Sequence, residues 1–239
     1  MPAGASDIEA VLFDYGGTLV TFAYPTDDLL LVLRRFRPRI EAALGVPAPE
    51  AERILRDVLV PLEEYIGSMS EDEVDYMDVY RESWHNAGMR LPDGLLYEIL
   101  DAEQRCWDRA VRLDPEAFDV LEWLGARGVK RGICSNAPFP PEMMRRQVEA
   151  NGIARRVEAI VFSSQVGRRK PAPEVYRAAL DAVGADPART LFVGDRVRED
   201  YEGPTAAGMK AVLFVAHASK PAPPGVPMIG SLNELRRMV

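Results

Sequence analysis

Two apolar stretches of the sequence stop abruptly at a carboxylate. In VLFDYGGTLV, residues 11–20, the run ends at Asp14, and in RTLFVGD, residues 189–195, it ends at Asp195. If the fold brings two carboxylates together, they repel each other and one takes up a proton, unless a cation lies between them. Hard oxygen ligands suit Mg²⁺, which proteins hold with one or two carboxylates together with waters and substrate phosphate. The pair therefore predicts Mg²⁺ as the cofactor.

A lysine, a hydroxyl and a third acid would complete such a site. Lys170, in RRKPAPEVYRAAL, lies just before a predicted helix that carries a proline near its first turn, and the N-terminus of a helix favours anions. Ser135 ends the apolar stretch ICS, and Asp200 lies five residues after Asp195, where it is placed to bind loop amides or to orient a metal-bound water. Together these groups predict a site for the phosphate of a small phosphorylated substrate.

The elements that must position these residues alternate between strand and helix. The pattern predicts strands over residues 8–13, 129–135, 157–164, 189–195 and 210–216, and helices over 115–128, 140–152, 172–184, 198–208 and 231–239. Such alternation indicates right-handed crossovers and a doubly wound, Rossmann-like parallel α/β sheet. Because the carboxyl ends of parallel strands share one edge, Asp14, Ser135 and Asp195 should face a common crevice.

Between the first strand and the rest, the periodicity is helical. Four helices are predicted over residues 27–44, 48–66, 70–88 and 92–110, the third beginning at a capping box formed by Ser70 and Glu73. We therefore assign residues 1–21 and 112–239 to an α/β core domain, called the core below, and residues 22–111 to an inserted helical cap domain, called the cap. Flexible joints between them are expected near residues 20–25 and 110–114.

Composition limits the partners. The 239 residues carry a formal net charge of −8, which disfavours nonspecific binding to nucleic acid or to an anionic membrane. No run approaches the ~18 apolar residues of a membrane span, and MPAGASDIEA lacks the basic and apolar regions of a secretory signal. Cys106 and Cys134 have no metal-ligand spacing and are expected to be reduced thiols. These features predict a cytoplasmic protein, either monomer or homodimer.

Four motifs now carry a resemblance. FDYGGTL, ICSN, the Lys-Pro of RRKPAPEVY and VGDRVREDYEGPTAAGM resemble, in this order, the four motifs of the haloacid dehalogenase-like hydrolase superfamily, whose members are mostly Mg²⁺-dependent phosphatases. The GDxxxxDYxGPxxAGM pattern and the position of the helical insert resemble subfamily I, which has a helical cap after the first strand. The resemblance covers the core and is weak across the cap.

The resemblance implies roles for the residues that bind and attack phosphate. Asp14 would be the nucleophile that takes the phosphoryl group as an aspartyl-phosphate. Ser135, Thr18 and Asn136 would bind phosphoryl oxygens, and Lys170 would neutralise the charge of the phosphate and of the nucleophile. Asp14, Lys170 and Ser135 are thus the predicted catalytic residues.

The resemblance also implies a metal site. Asp195 would hold Mg²⁺ together with a carboxylate oxygen of Asp14 and the backbone carbonyl of Gly16, and Asp200 would support the same site. The metal and the lysine would let an anionic nucleophile approach an anionic phosphate.

Gly16 departs from the family pattern. In phosphatases of the family this position holds an Asp that protonates the leaving oxygen and later activates water. Positioned proton transfer is typically worth ~10² to 10⁴ in rate, so its loss matters most for a poor leaving group. The sequence therefore predicts a phosphatase that obtains the proton from the cap, from water or from the substrate, and that prefers acidic leaving groups or acyl phosphates.

Two other activities stay open. A 2-haloacid dehalogenase needs no such acid, although it also needs no metal carboxylates, and a catalytically weak or noncatalytic binding protein could keep the fold. Phosphonate-cleaving relatives use a cap lysine, which residues 1–129 do not contain. His85 and His217 each stand alone in the sequence, and we expect ordinary structural roles for both.

Overall fold

A six-stranded parallel sheet lies at the centre of the protein. The computed structural model describes residues 7–67, 71–217 and 223–239. The strands of the sheet are β1 (Ala10–Phe13), β4 (Lys130–Ser135), β5 (Ala159–Phe162), β6 (Thr190–Gly194), β7 (Lys210–Phe214) and β8 (Met228–Ile229). Their order is β5-β4-β1-β6-β7-β8, and every neighbouring pair is parallel. The predicted doubly wound α/β architecture is confirmed.

Strand β1 is central and covered on both faces. Val11 and Phe13 pack into one apolar cluster with α6 (Ala117–Ala126) and α7 (Pro141–Ala150), whereas Ala10 and Leu12 pack into another with α9 (Pro173–Val183). Successive side chains of a strand point to opposite faces, so a strand buried on both faces reads as an unbroken apolar run. This burial explains why AVLF carries no polar residue until Asp14.

Short helical turns complete the core. They are α8 (Ser163–Val166), α10 (Gly203–Ala206), a π-helical turn (Val197–Glu202) and 3₁₀ turns at Ile153–Arg156, Pro187–Arg189 and Leu232–Arg237. The predicted α-helix over 231–239 is wrong in type, because the residues Leu232–Arg237 form a 3₁₀ turn. Over the described ranges, no helix is long and apolar enough to cross a membrane.

The residues between the first and second strands of the sheet build a helical layer with its own apolar cluster. Its helices are α1 (Thr26–Leu44), α2 (Ala51–Ile54), α3 (Val60–Gly67), α4 (Tyr76–Asn86) and α5 (Asp93–Ala110), with a π-helical turn (Leu55–Leu59) joining α2 to α3. In α1, an apolar stripe of Leu29, Leu33, Phe36 and Ile40 faces this cluster. The helix ends at Gly45, whose φ of 69° is the left-handed conformation that glycine favours.

One predicted helix start is wrong. Helix α4 begins at Tyr76, with Asp75 as its cap: the Asp75 side chain accepts a hydrogen bond from the backbone N–H of Asp78 at 3.2 Å. Ser70, and with it the predicted capping box, lies outside the described residues, and Glu73 lies before the first turn of α4. The Glu73 backbone N–H donates to the carbonyl of Gly167 at 3.2 Å, so this segment runs along the core before the helix begins.

A two-stranded antiparallel ribbon joins the two parts of the molecule. It pairs β2 (Val20–Phe22) with β3 (Val111–Leu113), so that Val20 lies opposite Leu113 and Phe22 opposite Val111. The sequence analysis expected flexible joints here and predicted neither strand. The boundaries assigned to core and cap stay a prediction, and this ribbon spans both of them.

Candidate active site

Three carboxylates and a lysine meet at the carboxyl edge of the central strands. Asp14 follows β1, Asp195 follows β6, and Asp200 lies on the π-helical turn beyond it. The Lys170 ammonium donates to Asp14 Oδ1 at 2.6 Å and to Asp200 Oδ1 at 2.6 Å. Its side chain is 2% exposed, so this double ion pair is shielded from water. Strand order explains the meeting, because β1 and β6 are neighbours in the sheet.

The same carboxylates form a group suited to a divalent cation. Asp14, Asp195 and Asp200 each offer an oxygen, and these oxygens lie within 4.8 Å of one another. Asp195 Oδ1 is buried without a hydrogen-bond partner among the described residues. Burial and the nearby Asp14 carboxylate raise the pKa of Asp195 to about 6. An all-oxygen set with one unpartnered member fits Mg²⁺.

Gly17 allows the loop after β1 to lie close to the Asp195 carboxylate. Gly17 has a φ of +86°, and a Cβ placed on it would lie 2.8 Å from Asp195 Cγ. No other residue fits there without displacing the carboxylate, and the left-handed backbone also disfavours a side chain. The GG of the first motif is therefore partly a steric requirement of the site.

Comparison with known proteins identifies the family. A model of the haloacid dehalogenase-like hydrolases matches residues 8–208. The chain belongs to this hydrolase family. The resemblance drawn from the four motifs is confirmed.

Two curated relatives and one solved structure illustrate the likeness. The chain is 31% identical to a phosphoserine phosphatase of Thermus thermophilus over 66% of this chain and 62% of that protein, so the match spans less than two thirds of the relative's length. It is 30% identical to an N-acetylmuramic acid 6-phosphate phosphatase of Pseudomonas aeruginosa over 85% of this chain and 80% of that protein. A 2-haloacid dehalogenase of Pseudomonas syringae superposes with a TM-score of 0.68 at 22% identity over 97% of both chains, which shows a shared fold.

The two polar residues of the second motif, Ser135 and Asn136, make different contacts. Ser135 is 5% exposed and lines the cavity beside Asp14. Asn136 accepts a hydrogen bond from the backbone N–H of Lys170 at 2.7 Å and donates to the carbonyl of Lys170 at 3.2 Å. Both polar atoms of the Asn136 side chain are therefore bonded to the lysine backbone, which positions Lys170, and the role of Asn136 as a phosphate ligand stays a prediction.

Thr18 does not lie at the cavity surface. Its side chain is fully buried, it is not among the residues that line the cavity, and its hydroxyl has no hydrogen-bond partner in the described part of the chain. The predicted phosphate-binding residue is thus packed behind the first motif. The carbonyl of Gly16, by contrast, belongs to a residue that does line the cavity.

A cavity of about 480 Å³ extends from the carboxylates to the cap. Its apolar wall includes Phe22 of β2, Trp107 of α5 and Phe139 of the core. The Phe22 and Trp107 rings meet edge to face with centroids 6.4 Å apart. Glu63 of α3 is a carboxyl group on the cap side of this cavity. Residues from both parts of the molecule therefore enclose the site.

Gly16, where phosphatases of the family have an acid, lies against the ring of Phe22. A Cβ placed on Gly16 would lie 3.1 Å from Cε2 of Phe22, so the ring packs tightly against the position where a side chain of residue 16 would begin. Phe22 is held there by the ribbon and by an edge contact with Tyr15, whose ring centroid is 6.1 Å away. A glycine at position 16 and an aromatic residue at position 22 are thus complementary.

Neither histidine replaces that acid. His217 is hydrogen-bonded to Asp114 with a distance of 2.9 Å between Nε2 and Oδ2, and His85 is exposed on α4. Neither lines the cavity. Tyr15 is 2% exposed and accepts a hydrogen bond from Asn151 at 2.6 Å, which is mainly a packing role.

Sequence reasoning missed the cap residues of the site. Phe22, Glu63 and Trp107 come from three different elements, and each fits the local pattern of its element without any motif. Their meeting depends on how the cap packs on the core, and no spacing in the sequence encodes it. The one available signal was Gly16, which indicated that something else must fill its place.

Proposed function

We propose that this hydrolase is a Mg²⁺-dependent phosphatase that acts on a small phosphorylated metabolite through an aspartyl-phosphate. The observation that carries the proposal is the buried Lys170 ammonium bonded to Asp14 and Asp200, next to the unpartnered oxygen of Asp195. The curated relatives, which are named as phosphatases, support the same reaction class.

The first step is attack on phosphorus. The Asp14 carboxylate forms a bond to phosphorus while the bond from phosphorus to the leaving oxygen breaks. Lys170 holds Asp14 in position and balances the added negative charge, and Ser135 donates its hydroxyl to a phosphoryl oxygen. When bound by Asp14, Asp195, Asp200 and the carbonyl of Gly16, Mg²⁺ supplies the positive charge that lets two anions approach.

The second step releases phosphate. A water attacks the phosphorus of the aspartyl-phosphate, and the bond to Asp14 breaks, which restores the carboxylate. Enclosure of the cavity by the cap keeps bulk water from the phosphoryl group while the substrate is bound and strengthens the electrostatic contacts inside.

The dehalogenase alternative fits the residues less well. The likeness to a dehalogenase structure concerns the fold. Attack on carbon with loss of halide needs no cation, and three clustered carboxylates around a metal-free site would then repel one another without benefit. A noncatalytic binding protein would have no use for a buried nucleophile held by an ammonium group.

The test is phosphate release from a panel of small phosphate esters. Wild-type protein with Mg²⁺ should release phosphate, chelation should abolish the release, and Asp14→Asn should be inactive although it folds normally. Chloride release from 2-chloropropionate without metal would favour the dehalogenase. No turnover of any ester or haloacid would favour a binding protein.

A further inference from the structure

The proposed reaction needs a proton donor on the leaving-group side of the site. Asp14 lies on one side of the transferred phosphoryl group, so the leaving oxygen departs on the opposite side, toward the cap. Position 16 is a glycine and offers no side chain, and the Phe22 ring lies 3.1 Å from where a Cβ would stand. The donor must therefore come from another wall of the cavity.

Among the residues that the structure describes, the core side of the cavity offers no free acid for this task. The carboxylates of Asp14, Asp195 and Asp200 belong to the nucleophile and the metal site. Lys170 is bonded to two of them, and the hydroxyl of Tyr15 is bonded to Asn151. Glu199 also lines the cavity, but it lies on the same turn as Asp200, on the metal side.

Glu63 is the carboxyl group on the cap wall. It lies on α3 and lines the same cavity as Asp14 and Lys170. It is hydrogen-bonded to Tyr24, whose ring meets Trp107 edge to face at 5.2 Å between centroids. Trp107 in turn contacts Phe22, the residue that fills the space beside Gly16. A chain of contacts therefore connects Glu63 to the place where the family's usual acid would stand.

Its surroundings keep Glu63 able to carry a proton near neutral pH. Burial raises the pKa of Glu63 to about 7, although the hydrogen bond from Tyr24 opposes the rise. A general acid and base works best when its pKa lies near the working pH. Besides the carboxylates of Asp14, Asp195 and Asp200, the other polar and charged groups that line the cavity are Tyr15, Gln104, Ser135, Asn136, Gln147, Arg169, Lys170, Arg196 and Glu199, and Tyr24, Tyr76 and Glu103 lie near Glu63.

We propose that Glu63 is the general acid and base of the phosphatase reaction, an inference that rests on the proposed function. In the first step, the Glu63 carboxyl group gives its proton to the leaving oxygen as the bond from phosphorus to that oxygen breaks, and the alcohol leaves neutral. In the second step, the Glu63 carboxylate takes a proton from the water that attacks phosphorus. The bond to Asp14 breaks, phosphate leaves, and both side chains return to their starting states.

The experiment compares two substrates of similar size with different leaving groups. Benzyl phosphate releases a poor leaving group and para-nitrophenyl phosphate a good one. Glu63→Gln should lower kcat/KM, which reports only the steps up to loss of the leaving group, by ~100-fold for benzyl phosphate and by less than about threefold for para-nitrophenyl phosphate. The control is Glu64→Gln, its exposed neighbour on the same helix, which should change neither rate.

Two further readouts separate chemistry from packing. The benzyl phosphate rate of the wild type should fall as pH rises above about 7, because Glu63 then lacks its proton, and Glu63→Gln should lose this decline. In Glu63→Ala, added acetate should restore part of the benzyl phosphate turnover. Retained para-nitrophenyl phosphate turnover confirms that the variants are folded.

The outcomes distinguish the two proposals. Equal loss of kcat/KM on both substrates, or no loss on either, would overturn the role of Glu63 and leave the phosphatase assignment intact. A wild-type protein that turns over neither ester with Mg²⁺ would overturn the phosphatase assignment, and the role of Glu63 with it.

Discussion

The Asp195 carboxylate lies beside another acid, and one of its oxygens has no hydrogen-bond partner in the described residues. Its Oδ1 is buried without a partner in the described chain, and burial together with Asp14 raises its pKa to about 6. Lys170 is already bonded to Asp14 and Asp200, so it leaves Asp195 without a cationic partner of its own. Among the described residues, Asp195 Oδ1 is therefore available to a bound cation.

Mg²⁺ should therefore stabilise the folded protein through Asp195. A ligand that binds only the folded state stabilises it by about 2.7 kcal/mol at a concentration of 100 Kd. We expect added Mg²⁺ to raise the Tm of the wild type, and Asp195→Asn to lose most of this rise. Asp181→Asn, an exposed acid on α9, is the matched control and should respond as the wild type does. An undiminished rise in Asp195→Asn would place the metal elsewhere.

Glu103 makes stability depend on pH. Its side chain is fully buried in the cap, and Tyr80 donates to its Oε2 at 2.9 Å while its Oε1 has no partner in the described residues. Burial raises the pKa of Glu103 to about 8 from the ordinary value of 4.5. Between these values the folded state holds a proton that the unfolded state has lost, so the free energy of unfolding falls as pH rises through this window.

Glu103→Gln should remove that dependence. The wild type should lose on the order of 1–3 kcal/mol more stability than Glu103→Gln when the pH is raised from about 5 to about 9. Urea unfolding at the two pH values measures the difference. Glu82→Gln, an exposed acid on α4, should keep the wild-type dependence. Parallel curves for wild type and Glu103→Gln would mean that Glu103 is already ionised in the folded protein.

At the scale of elements, a short cap segment anchors α4 to the core. We call residues 71–73 and 167–169 the bridge. Its backbone bonds run from the N–H of Arg169 to the carbonyl of Glu71 at 2.8 Å and from the N–H of Glu73 to the carbonyl of Gly167 at 3.2 Å. Arg169 also pairs with Glu73 at 3.2 Å, with side chains only 10% and 2% exposed. Since Lys170 follows directly, the bridge ties the segment that carries this lysine to the cap.

Removing one member of this buried pair should be costly. Glu73→Gln removes the charged group that lies 3.2 Å from the Arg169 guanidinium, and breaking a buried pair in this way typically costs about 3–5 kcal/mol. The exposed pair of Arg81 and Asp78 serves as control, because Asp78→Asn should cost about 0–1 kcal/mol. Urea unfolding gives both values. Equal, small losses in the two variants would show that the bridge contributes little to stability.

The elements also show what the sequence could and could not predict. The strand ends at Asp14, Ser135 and Asp195 were predictable, because buried parallel strands read as apolar runs and their carboxyl ends share one edge. Strands β2 and β3 were not, since three residues each give no alternation to detect. The start of α4 was misplaced because residues 71–75 pair with the core, a tertiary contact that outweighs a local capping pattern.

The candidate site, too, was only partly predictable from the sequence. The residues predicted as nucleophile, lysine and metal ligands lie in motifs, and the structure brings their side chains together, while their roles stay predictions. The position of Thr18 behind the loop and the bonds of Asn136 to Lys170 depend on side-chain packing that no motif specifies. Glu63 reaches the cavity only because the cap folds over the core.

At the scale of the whole molecule, the two sides of the interface differ in charge. In the contacts that join them, arginines lie on the core side and acids on the cap side. The pairs are Arg146 with Asp101 and Asp108, Arg168 with Glu71 and Asp72, Arg169 with Glu73, and Arg198 with Glu71. A net charge of −8 is thus unevenly distributed, and the attraction between the two sides favours a closed cavity.

The ion pairs between Arg146 of α7 and two acids of α5 offer a test of whether charge keeps the cavity closed. Arg146 reaches Asp101 at 2.5 Å and Asp108 at 3.1 Å, so Arg146→Met removes two cap contacts at once. We expect this substitution to raise KM for a small phosphate ester and to raise the radius of gyration measured by small-angle X-ray scattering. The reason is that the form with the cap away from the core becomes more populated. Added salt should shift the wild type in the same direction, since it screens partly exposed pairs.

A double-mutant cycle isolates the contact that matters. If Arg146 holds the cap through Asp101, then Asp101→Asn should add little in the Arg146→Met background, with a coupling energy of roughly 0.5–3 kcal/mol. Arg236→Met, which breaks an ion pair with Asp119 within the core, is the control and should leave KM and the radius of gyration unchanged. Additive effects of the two interface substitutions would show that they act separately. In that case the apolar contacts between cap and core, such as Met143 of α7 within the cap cluster, would hold the cavity closed without help from charge.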